Sequence, residues 1–534
     1  MNTLLLGLAV FVLVLFVRLY SRGGDRKHLP PGPPGVPILG NLPQLVGVSQ
    51  LWHTFDKWRY EYGPLTYLNM VGKDVMVLNT KAAAFELLER RSAIYSDRPR
   101  SIVAEYIGSQ LAIPFARYGK SWQNMRRAAH EVLNARVSSQ YHPVQTEEAI
   151  ILANGLLYDK SSTLLEKING SASTVISVVY GKRSLSSEKK VQATVDPDEE
   201  LHLPESDPLQ SLCNIGHRFT SSLYPGAYLV EVLPVLDYVP TAMARWKRNA
   251  QRDFDRISDT FHKFYNDAVR NDEQRTSLCA NLADSQFATG LTNTEKAWVT
   301  GSISVAALET TSTTLSFFMY AMIQYPKAQE QAQKELDRVV GRLRSPNFTD
   351  MAHLPYIRAI VKEVLRWQPA IPLVVPRMAM EDDWYEGRFI PKGTALILNL
   401  WSMNHDREVY GPDVDQFRPE RFLQQTEKEG EYALRPEYVN EDGHCSYGFG
   451  RRGCVGKYVA DNALFIDMAT ILWALRIEPD TSKPTETPVK QGPTKDLVNP
   501  IPDFQCRFLS RFPEAETILQ HLHEEVMQER TNEA

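Results

Sequence analysis

The chain has 534 residues, of which 59 are Lys or Arg and 64 are Asp or Glu, so its formal net charge is −5. This balance excludes a nucleic-acid binder that works by bulk positive charge. Hydrophobic residues make up 43% of the chain and the mean hydropathy is −0.31, which excludes a disordered chain and a protein with many membrane spans. Five cysteines without a Cys-x-x-Cys pair argue against a disulfide scaffold or a cysteine-rich zinc site, and they favour a reducing compartment.

The amino-terminal segment is apolar. Residues Leu4–Val17 consist only of Leu, Gly, Ala, Val and Phe, and this run is barely long enough for one bilayer crossing. No basic residue precedes it and no clear cleavage site follows, so an uncleaved anchor at 1–20 is favoured over a cleaved signal peptide. Basic residues after the run keep the bulk of the chain cytosolic. Residues 21–45 form a basic and Pro-rich hinge, interpreted as a stiff spacer, with a flexible linker as the alternative.

No internal repeat divides the body at 46–512, so we expect one large domain in which helices dominate. A β-hairpin is predicted at Thr66–Asn79, followed by a helix at Lys81–Arg91. Six further helices are predicted at Ser121–Leu133, Met243–Val269, Glu295–Gln324, Ala328–Val339, Tyr356–Arg366 and Lys457–Leu475. Strands are predicted at Val374–Met380 and Thr394–Asn399, an exposed loop at Lys182–Pro208, and a charged, solvated helical tail at 513–534.

A glycine-rich segment, Tyr447–Gly456, reads YGFGRRGCVG and contains the pattern G-x-G-x-x-G. A dinucleotide site is disfavoured, because polar residues precede the pattern where a buried strand is required, and no acidic residue follows at the spacing of a βαβ unit. Cys454 instead lies just before a predicted helix, whose amino terminus and backbone N–H groups stabilise a thiolate. Arg452 adds positive charge nearby. These features predict a thiolate that binds a metal.

The segment closely resembles the haem-binding loop of the cytochrome P-450 superfamily, F-x-x-G-x-R-x-C-x-G. Gly450, Arg452, Cys454 and Gly456 match, whereas Tyr447 stands where the family usually has Phe. The resemblance implies a mainly α fold with small β-sheets and a single haem domain. It also implies haem b with the Cys454 thiolate as axial ligand, and the additional Tyr447 hydroxyl is expected near the thiolate.

An acidic and two basic residues match a second family pattern. Glu363 and Arg366 are three positions apart in a predicted helix and share one face. Alone, such a pair is usually solvated and worth under about 1 kcal/mol. A Pro-Glu-Arg-Phe segment follows before the cysteine loop, so the resemblance implies that Glu363, Arg366 and Arg421 form a structural charge network.

A stripe of small and polar residues, Ala306, Thr310 and Thr314, repeats every four positions in the longest predicted helix. Threonines that bond to a carbonyl one turn earlier would explain this stripe without any function. The segment also resembles the family's oxygen-binding segment, where a kinked helix crosses the haem. That resemblance implies that Glu309 and Thr310 deliver protons to bound O2, and Ala307 replaces the usual Gly.

Further residues match positions from which the family holds the haem propionates. Trp122 and Arg126 form a W-x-x-x-R pattern, and Arg377 lies in a predicted strand. Arginine suits carboxylates because it binds them in a bidentate manner. The resemblance therefore implies a propionate cradle that includes Trp122, Arg126, Arg377 and Arg452, with Ala306 beside the haem.

The resemblance implies a monooxygenase that inserts one oxygen atom of O2 into a C–H or C=C bond of a lipophilic small molecule, such as a terpenoid or polyketide. Because the chain has no credible dinucleotide or flavin site, NADPH must act through a separate reductase, with cytochrome b5 as a further candidate donor. The resemblance is to microsomal, mainly fungal members, which places the domain on the cytosolic side of the endoplasmic reticulum. Two alternatives stay open: a member that rearranges or dehydrates its substrate, and an anchored haem-binding protein without activity.

Overall fold

The structure of the protein is a computed structural model. It describes residues 24–158, 168, 173–181, 201–205, 207–223, 227–272, 274–428, 430–480, 497–502 and 504–532. The predicted anchor at 1–20 and residues 182–200 of the predicted loop lie outside these ranges. Within them, no helix combines the length and the apolar character needed to cross a bilayer.

Helices dominate the described chain, which confirms the predicted class. The longer α-helices span Leu51–Tyr62, Lys120–Leu133, His142–Tyr158, Ser173–Tyr180, Pro208–Leu223, Arg245–Asn271, Asn293–Gln324, Pro326–Val339, Pro355–Trp367, Lys457–Ala474 and Pro513–Asn532. Shorter ones span Leu42–Leu45, Lys81–Ala84, Ile102–Gly108, Leu229–Val232, Leu278–Asp284, Leu400–Asn404, Arg407–Tyr410 and Pro436–Val439. The six helices predicted after residue 120 are all observed, with bounds within two residues of the prediction.

Four small sheets accompany the helices. Their strands are β1 (Leu65–Met70), β2 (Lys73–Leu78), β3 (Arg377–Met378), β4 (Asp383–Tyr385), β5 (Arg388–Ile390), β6 (Ala395–Leu398), β7 (Leu423–Gln425), β8 (Tyr432–Leu434), β9 (Leu475–Pro479) and β10 (Cys506–Ser510). The largest sheet has the order β1-β2-β6-β3, and the other three are antiparallel pairs. The predicted hairpin is confirmed, with Leu65 opposite Leu78.

The strand predicted at Val374–Met380 is shorter than expected. Only Arg377 and Met378 join the sheet, where they pair with β6. Pro376 has no N–H to donate to a ladder. The carbonyl groups of Val375 and Pro376 instead accept hydrogen bonds from the Arg98 guanidinium. The Val374 N–H still donates to the Leu398 carbonyl of β6 at 3.2 Å, but the two carbonyls just before Arg377 bind a side chain rather than a strand.

The helix Asn293–Gln324, called the long helix below, runs through the core. It begins with a capping box in which the Thr292 hydroxyl accepts from the Glu295 N–H at 3.1 Å and the Glu295 carboxylate accepts from the Thr292 N–H at 2.9 Å. It continues as uninterrupted α-helix past Ala307. The kink expected from the resemblance does not break its hydrogen-bond pattern, and Ala at this position favours a regular helix more than Gly does.

The last helix, Pro513–Asn532, is more than the solvated tail that its charge predicted. Leu519 and Val526 on one face are buried against the body. Arg530 forms an ion pair of 2.8 Å with the buried Glu148. The expected loop at Lys182–Pro208 also differs at its end, because Pro208 begins a helix.

Candidate active site

The cysteine loop, Tyr447–Gly456, is shaped by a close backbone approach. Gly450 has φ of 55°, which disfavours residues with a side chain, and a Cβ there would overlap the carbonyl oxygen of Leu88. Its N–H donates to the Glu89 carboxylate at 2.5 Å. The Cys454 N–H donates to the Tyr447 carbonyl at 2.7 Å, which closes the loop just before the helix Lys457–Ala474, the post-cysteine helix.

The Cys454 side chain is accessible although it lies within the body of the protein. Burial and the charge of Asp461 raise the pKa of its thiol, while a hydrogen bond from the Gly456 backbone and the charges of Arg126 and Lys457 lower it. A side chain that is accessible yet lies deep in the protein is one whose sulfur faces an internal space. Val455, the next residue, packs against the same hydrophobic cluster as Ala307 of the long helix.

The Tyr447 hydroxyl, expected near the thiolate, has a different partner. It donates to Oδ1 of Asp461, in the post-cysteine helix, at 2.5 Å. A phenol has one proton to donate. The hydroxyl therefore binds a carboxylate rather than the Cys454 sulfur, because the post-cysteine helix places that carboxylate within its reach.

A cluster of buried arginines lies next to this loop. Burial lowers the pKa of Arg377 to about 10 and that of Arg452 to about 9. The charge of Arg126 contributes to both shifts, and the charge of Arg377 contributes to that of Arg452. Burial also lowers the pKa of Arg126. Of the Arg377 guanidinium, Nη2 donates to the Phe449 carbonyl, whereas Nε and Nη1 are buried without a hydrogen-bond partner in the described chain. A buried guanidinium whose N–H groups lack acceptors is stabilised by an anion that binds to them.

All four residues predicted for the cradle donate to backbone carbonyl groups, Arg126 to that of Gly453 at 2.5 Å and Arg377 to that of Phe449. The Trp122 indole N–H donates to the Ile113 carbonyl at 3.1 Å. The Arg452 guanidinium donates to the carbonyls of Ser96, Ile113 and Ala116, and it lies 3.8 Å from the centre of the Trp122 ring. Both side chains fix the segment before the helix Lys120–Leu133, and their contact with haem propionates stays a prediction.

Sequence reasoning missed Arg98 as a member of the arginine cluster. Its pKa is well below the usual range because of burial and then the charges of Arg452 and Arg377. Its Nε donates to the Pro114 carbonyl at 2.9 Å. The available signal was the segment Tyr95–Pro99, which reads YSDRP and includes this arginine.

The structure brings the three members of the predicted charge network together. Arg366 donates to both carboxylate oxygens of Glu363 at 2.7 and 2.8 Å, and both side chains are fully buried. Arg421 donates to the same carboxylate at 3.0 and 3.1 Å. Sequence reasoning missed Asn404: its carbonyl accepts from Arg366 at 2.9 Å, while its side chain accepts from the Cys445 N–H at 2.7 Å. Asn404 thereby connects the network to the segment just before the cysteine loop.

The stripe on the long helix contains one exposed alanine and two threonines that hydrogen-bond to the helix backbone. Ala306 is exposed in the middle of the helix, where its neighbours are buried or half-buried. The Thr310 hydroxyl donates to the Ala306 carbonyl at 2.9 Å, and the Thr314 hydroxyl repeats this bond one turn later. Glu309 points towards the helix Pro208–Leu223, where its carboxylate lies 3.7 Å from Nε2 of His217. The structure thus shows the threonine-to-carbonyl hydrogen bonds that would explain the stripe without any function. Proton delivery by Glu309 and Thr310 stays a prediction.

These residues fit a haem. Cys454, deprotonated in an electropositive loop, would supply the thiolate that is one of the established ligands of haem iron. The partnerless N–H groups of Arg377 and the crowded cations around Arg98 suit the two propionates of that cofactor. A helical body, a cysteine loop before a buried helix and an arginine cluster define a haem-thiolate protein.

Comparisons with known proteins agree with this class. Residues 30–508 match the family model described as cytochrome P-450. A cytochrome P-450 monooxygenase of Armillaria gallica is 40% identical over 528 residues, which cover 97% of this chain and 96% of the relative. The cytochrome P-450 monooxygenase iboC of Amanita muscaria is 36% identical over 565 residues, with 97% of each chain covered. The chain belongs to the cytochrome P-450 family, and it is an enzyme of the P-450 monooxygenase class.

Proposed function

We propose that this enzyme inserts one oxygen atom of O2 into a C–H or C=C bond of a lipophilic small molecule, with a terpenoid or polyketide as the expected substrate class. When bound, the haem supplies the redox chemistry that activates O2. NADPH provides the electrons through a separate reductase, and cytochrome b5 is a candidate second donor. The lipophilic character proposed for the substrate rests on a mainly apolar cavity next to the arginine cluster.

The cavity has a volume of about 260 Å³. It is lined by apolar groups of Ala104, Ala112, Phe115, Leu223, Val375 and Leu497, and Arg98 connects it to the arginine cluster. Arg100, Glu105 and Glu231 add polar groups. Apolar walls with a few polar groups are typical of sites for lipophilic ligands. Thr310 and Cys454 are not among its lining residues, and we assign the cavity to the part of the substrate pocket away from the thiolate.

The reaction type is tested with ¹⁸O2, a fungal NADPH-dependent reductase and a panel of terpenoids and polyketides. We expect a product that carries one ¹⁸O atom and requires both NADPH and O2. A product that forms without O2 and without the label would contradict this proposal and favour the rearrangement or dehydration alternative. Omission of the reductase is the matched control for electron supply.

Proton delivery by Thr310 gives a second prediction. In the Thr310→Ala variant, we expect product formed per NADPH consumed to fall about tenfold or more, because a positioned proton donor contributes at least this much. Thr314→Ala is the matched control, since its hydroxyl makes the same kind of bond, at 2.8 Å, but its side chain is buried. Equal coupling in both variants would assign Thr310 a structural role only.

We also propose that the enzyme lies on the endoplasmic reticulum membrane, held by the anchor at 1–20, with its domain in the cytosol. A patch of exposed apolar side chains supports this placement. Around the helix Leu229–Val232 it includes Leu233, Val235, Tyr238 and Met243. The Lys73 ammonium donates to the Glu231 carbonyl at 3.3 Å, so the β1–β2 turn adjoins this patch. Exposed apolar patches of this kind mark membrane or protein contacts.

Membrane contact is tested by cysteine labelling of the full chain in membranes. Val235, which is 67% exposed, is changed by Val235→Cys, and the matched control is Leu343→Cys at a 91% exposed apolar position. We expect a membrane-impermeant maleimide to react about tenfold more slowly at position 235, because lipid shields interfacial residues, and to react equally at both positions in detergent. Equal rates in membranes would contradict the proposed orientation.

A further inference from the structure

Tyr447 is held at both ends by the elements around the thiolate. Its carbonyl accepts from the Cys454 N–H at 2.7 Å, and its hydroxyl donates to Asp461 at 2.5 Å. The first contact lies within the cysteine loop, and the second reaches the post-cysteine helix. The Phe usual at this position in the family has no hydroxyl and cannot make the second contact. The Tyr447–Asp461 hydrogen bond therefore exists because this chain has Tyr where the family usually has Phe.

Asp461 lies among several charged groups. Lys362 faces it from the helix Pro355–Trp367, Lys457 from its own helix and Asp442 from the segment before the cysteine loop. Lys457 and Asp442 form an ion pair with each other at 3.4 Å. Arg358, one turn before Lys362, also interacts with the Asp461 charge.

The ionisation of Asp461 depends on its hydrogen-bond donor. Burial raises the pKa of Asp461 to about 6, while the bond from Tyr447 lowers it. Because the folded pKa of about 6 lies below 7.5, the carboxylate is mainly ionised at pH 7.5. Loss of the Tyr447 hydroxyl would raise this pKa further and would favour the neutral acid.

Resting on the proposed function, we infer that Tyr447 and Asp461 form a positioning pair that supports the Cys454 loop and lowers the reduction potential of the bound haem iron. Reduction adds one electron, supplied by the reductase, to the iron. A negative charge next to the thiolate opposes that addition, since it favours the more positive ferric state. Asp461 supplies this charge, and Tyr447 keeps it ionised and in place.

The test is a spectroelectrochemical titration of the haem-loaded full chain at pH 7.5. For Asp461→Asn, we expect the equilibrium to shift about tenfold towards ferrous iron, which is about 59 mV more positive for one electron. Tyr447→Phe leaves the carboxyl group in place but raises its pKa, so it should shift the equilibrium in the same direction by less than tenfold and more than twofold. The double variant should shift no further than Asp461→Asn alone, because Asp461→Asn already removes the charge on which Tyr447 acts. Asp442→Asn is the matched control, since it removes a nearby carboxylate whose partner is Lys457 rather than Tyr447.

A carbon monoxide spectrum of each reduced sample separates this inference from the proposed function. If wild type lacks the red-shifted Soret band of a haem thiolate, the proposed function fails. If the band is present and both variants stay within twofold of the wild-type equilibrium, the inference is wrong. An equal shift in Asp442→Asn also overturns it, because the effect would then be one of general charge. If Asp461→Asn loses haem, Tyr447→Phe decides the outcome, since it restores the residue usual in the family.

Discussion

The variant Cys454→Ser is expected to abolish the red-shifted Soret band of the reduced, carbon monoxide-treated protein and to reduce product formation to background. Cys454 lies in a loop whose glycines, backbone N–H groups and nearby cations suit a thiolate. A serine hydroxyl stays protonated at neutral pH and does not replace the electron donation of a thiolate ligand. The measurement is a difference spectrum with and without carbon monoxide, beside the haem content of each sample.

Cys445→Ser is the matched control for this experiment. Cys445 belongs to the segment just before the cysteine loop and is buried, and burial raises the pKa of its thiol to about 12. Its backbone N–H, rather than its sulfur, makes the contact with Asn404. We expect this variant to keep the red-shifted band. An unchanged spectrum in Cys454→Ser would show that another group binds the iron.

Local features of the fold could be predicted from the sequence. The bounds of the long helix follow from its apolar pattern and from the Thr292 and Glu295 capping pair, which are all local in the chain. The spacing of Glu363 and Arg366 similarly places both on one helix face. In the cysteine loop, the requirement for Gly at 450 could be inferred from the pattern, although its physical cause, the carbonyl of Leu88, is visible only in the fold.

Long-range contacts could not be predicted in the same way. Asn404 connects the charge network to the segment just before the cysteine loop. Its two partners, Arg366 and Cys445, are each about forty positions away in the chain, and no local spacing indicates these contacts. The place of Arg98 in the arginine cluster likewise depends on contacts between distant parts of the chain, which local spacing does not indicate. The Tyr447 hydroxyl interacts with the Cys454 charge, but its hydrogen bond to Asp461 in the post-cysteine helix could not be predicted from the position of Tyr447 in the chain. Side-chain direction, rather than sequence distance, decides such contacts.

Loss of the charge network is expected to cause the largest change in stability. Arg366→Ala leaves the buried Glu363 carboxylate with one guanidinium partner, Arg421, and removes the bond to the Asn404 carbonyl. Breaking a buried ion pair in this way lowers the free energy of unfolding by about 3–5 kcal/mol. Arg366→Lys keeps the charge but loses the paired geometry, so we expect an intermediate loss. Urea denaturation followed by tryptophan fluorescence measures both variants.

Arg407→Ala is the matched control, because Arg407 forms an exposed ion pair with Asp415 at 3.4 Å. An exposed pair contributes about 0–1 kcal/mol, so this variant should unfold almost as wild type does. The network also bears on the cofactor. Arg366 holds the backbone carbonyl of Asn404, whose side chain accepts from the Cys445 N–H, so loss of Arg366 weakens the support of the segment just before the cysteine loop. We therefore expect haem content to fall together with stability in Arg366→Ala and to stay normal in Arg407→Ala. A fully stable Arg366→Ala protein with normal haem content would show that Arg421 alone neutralises Glu363.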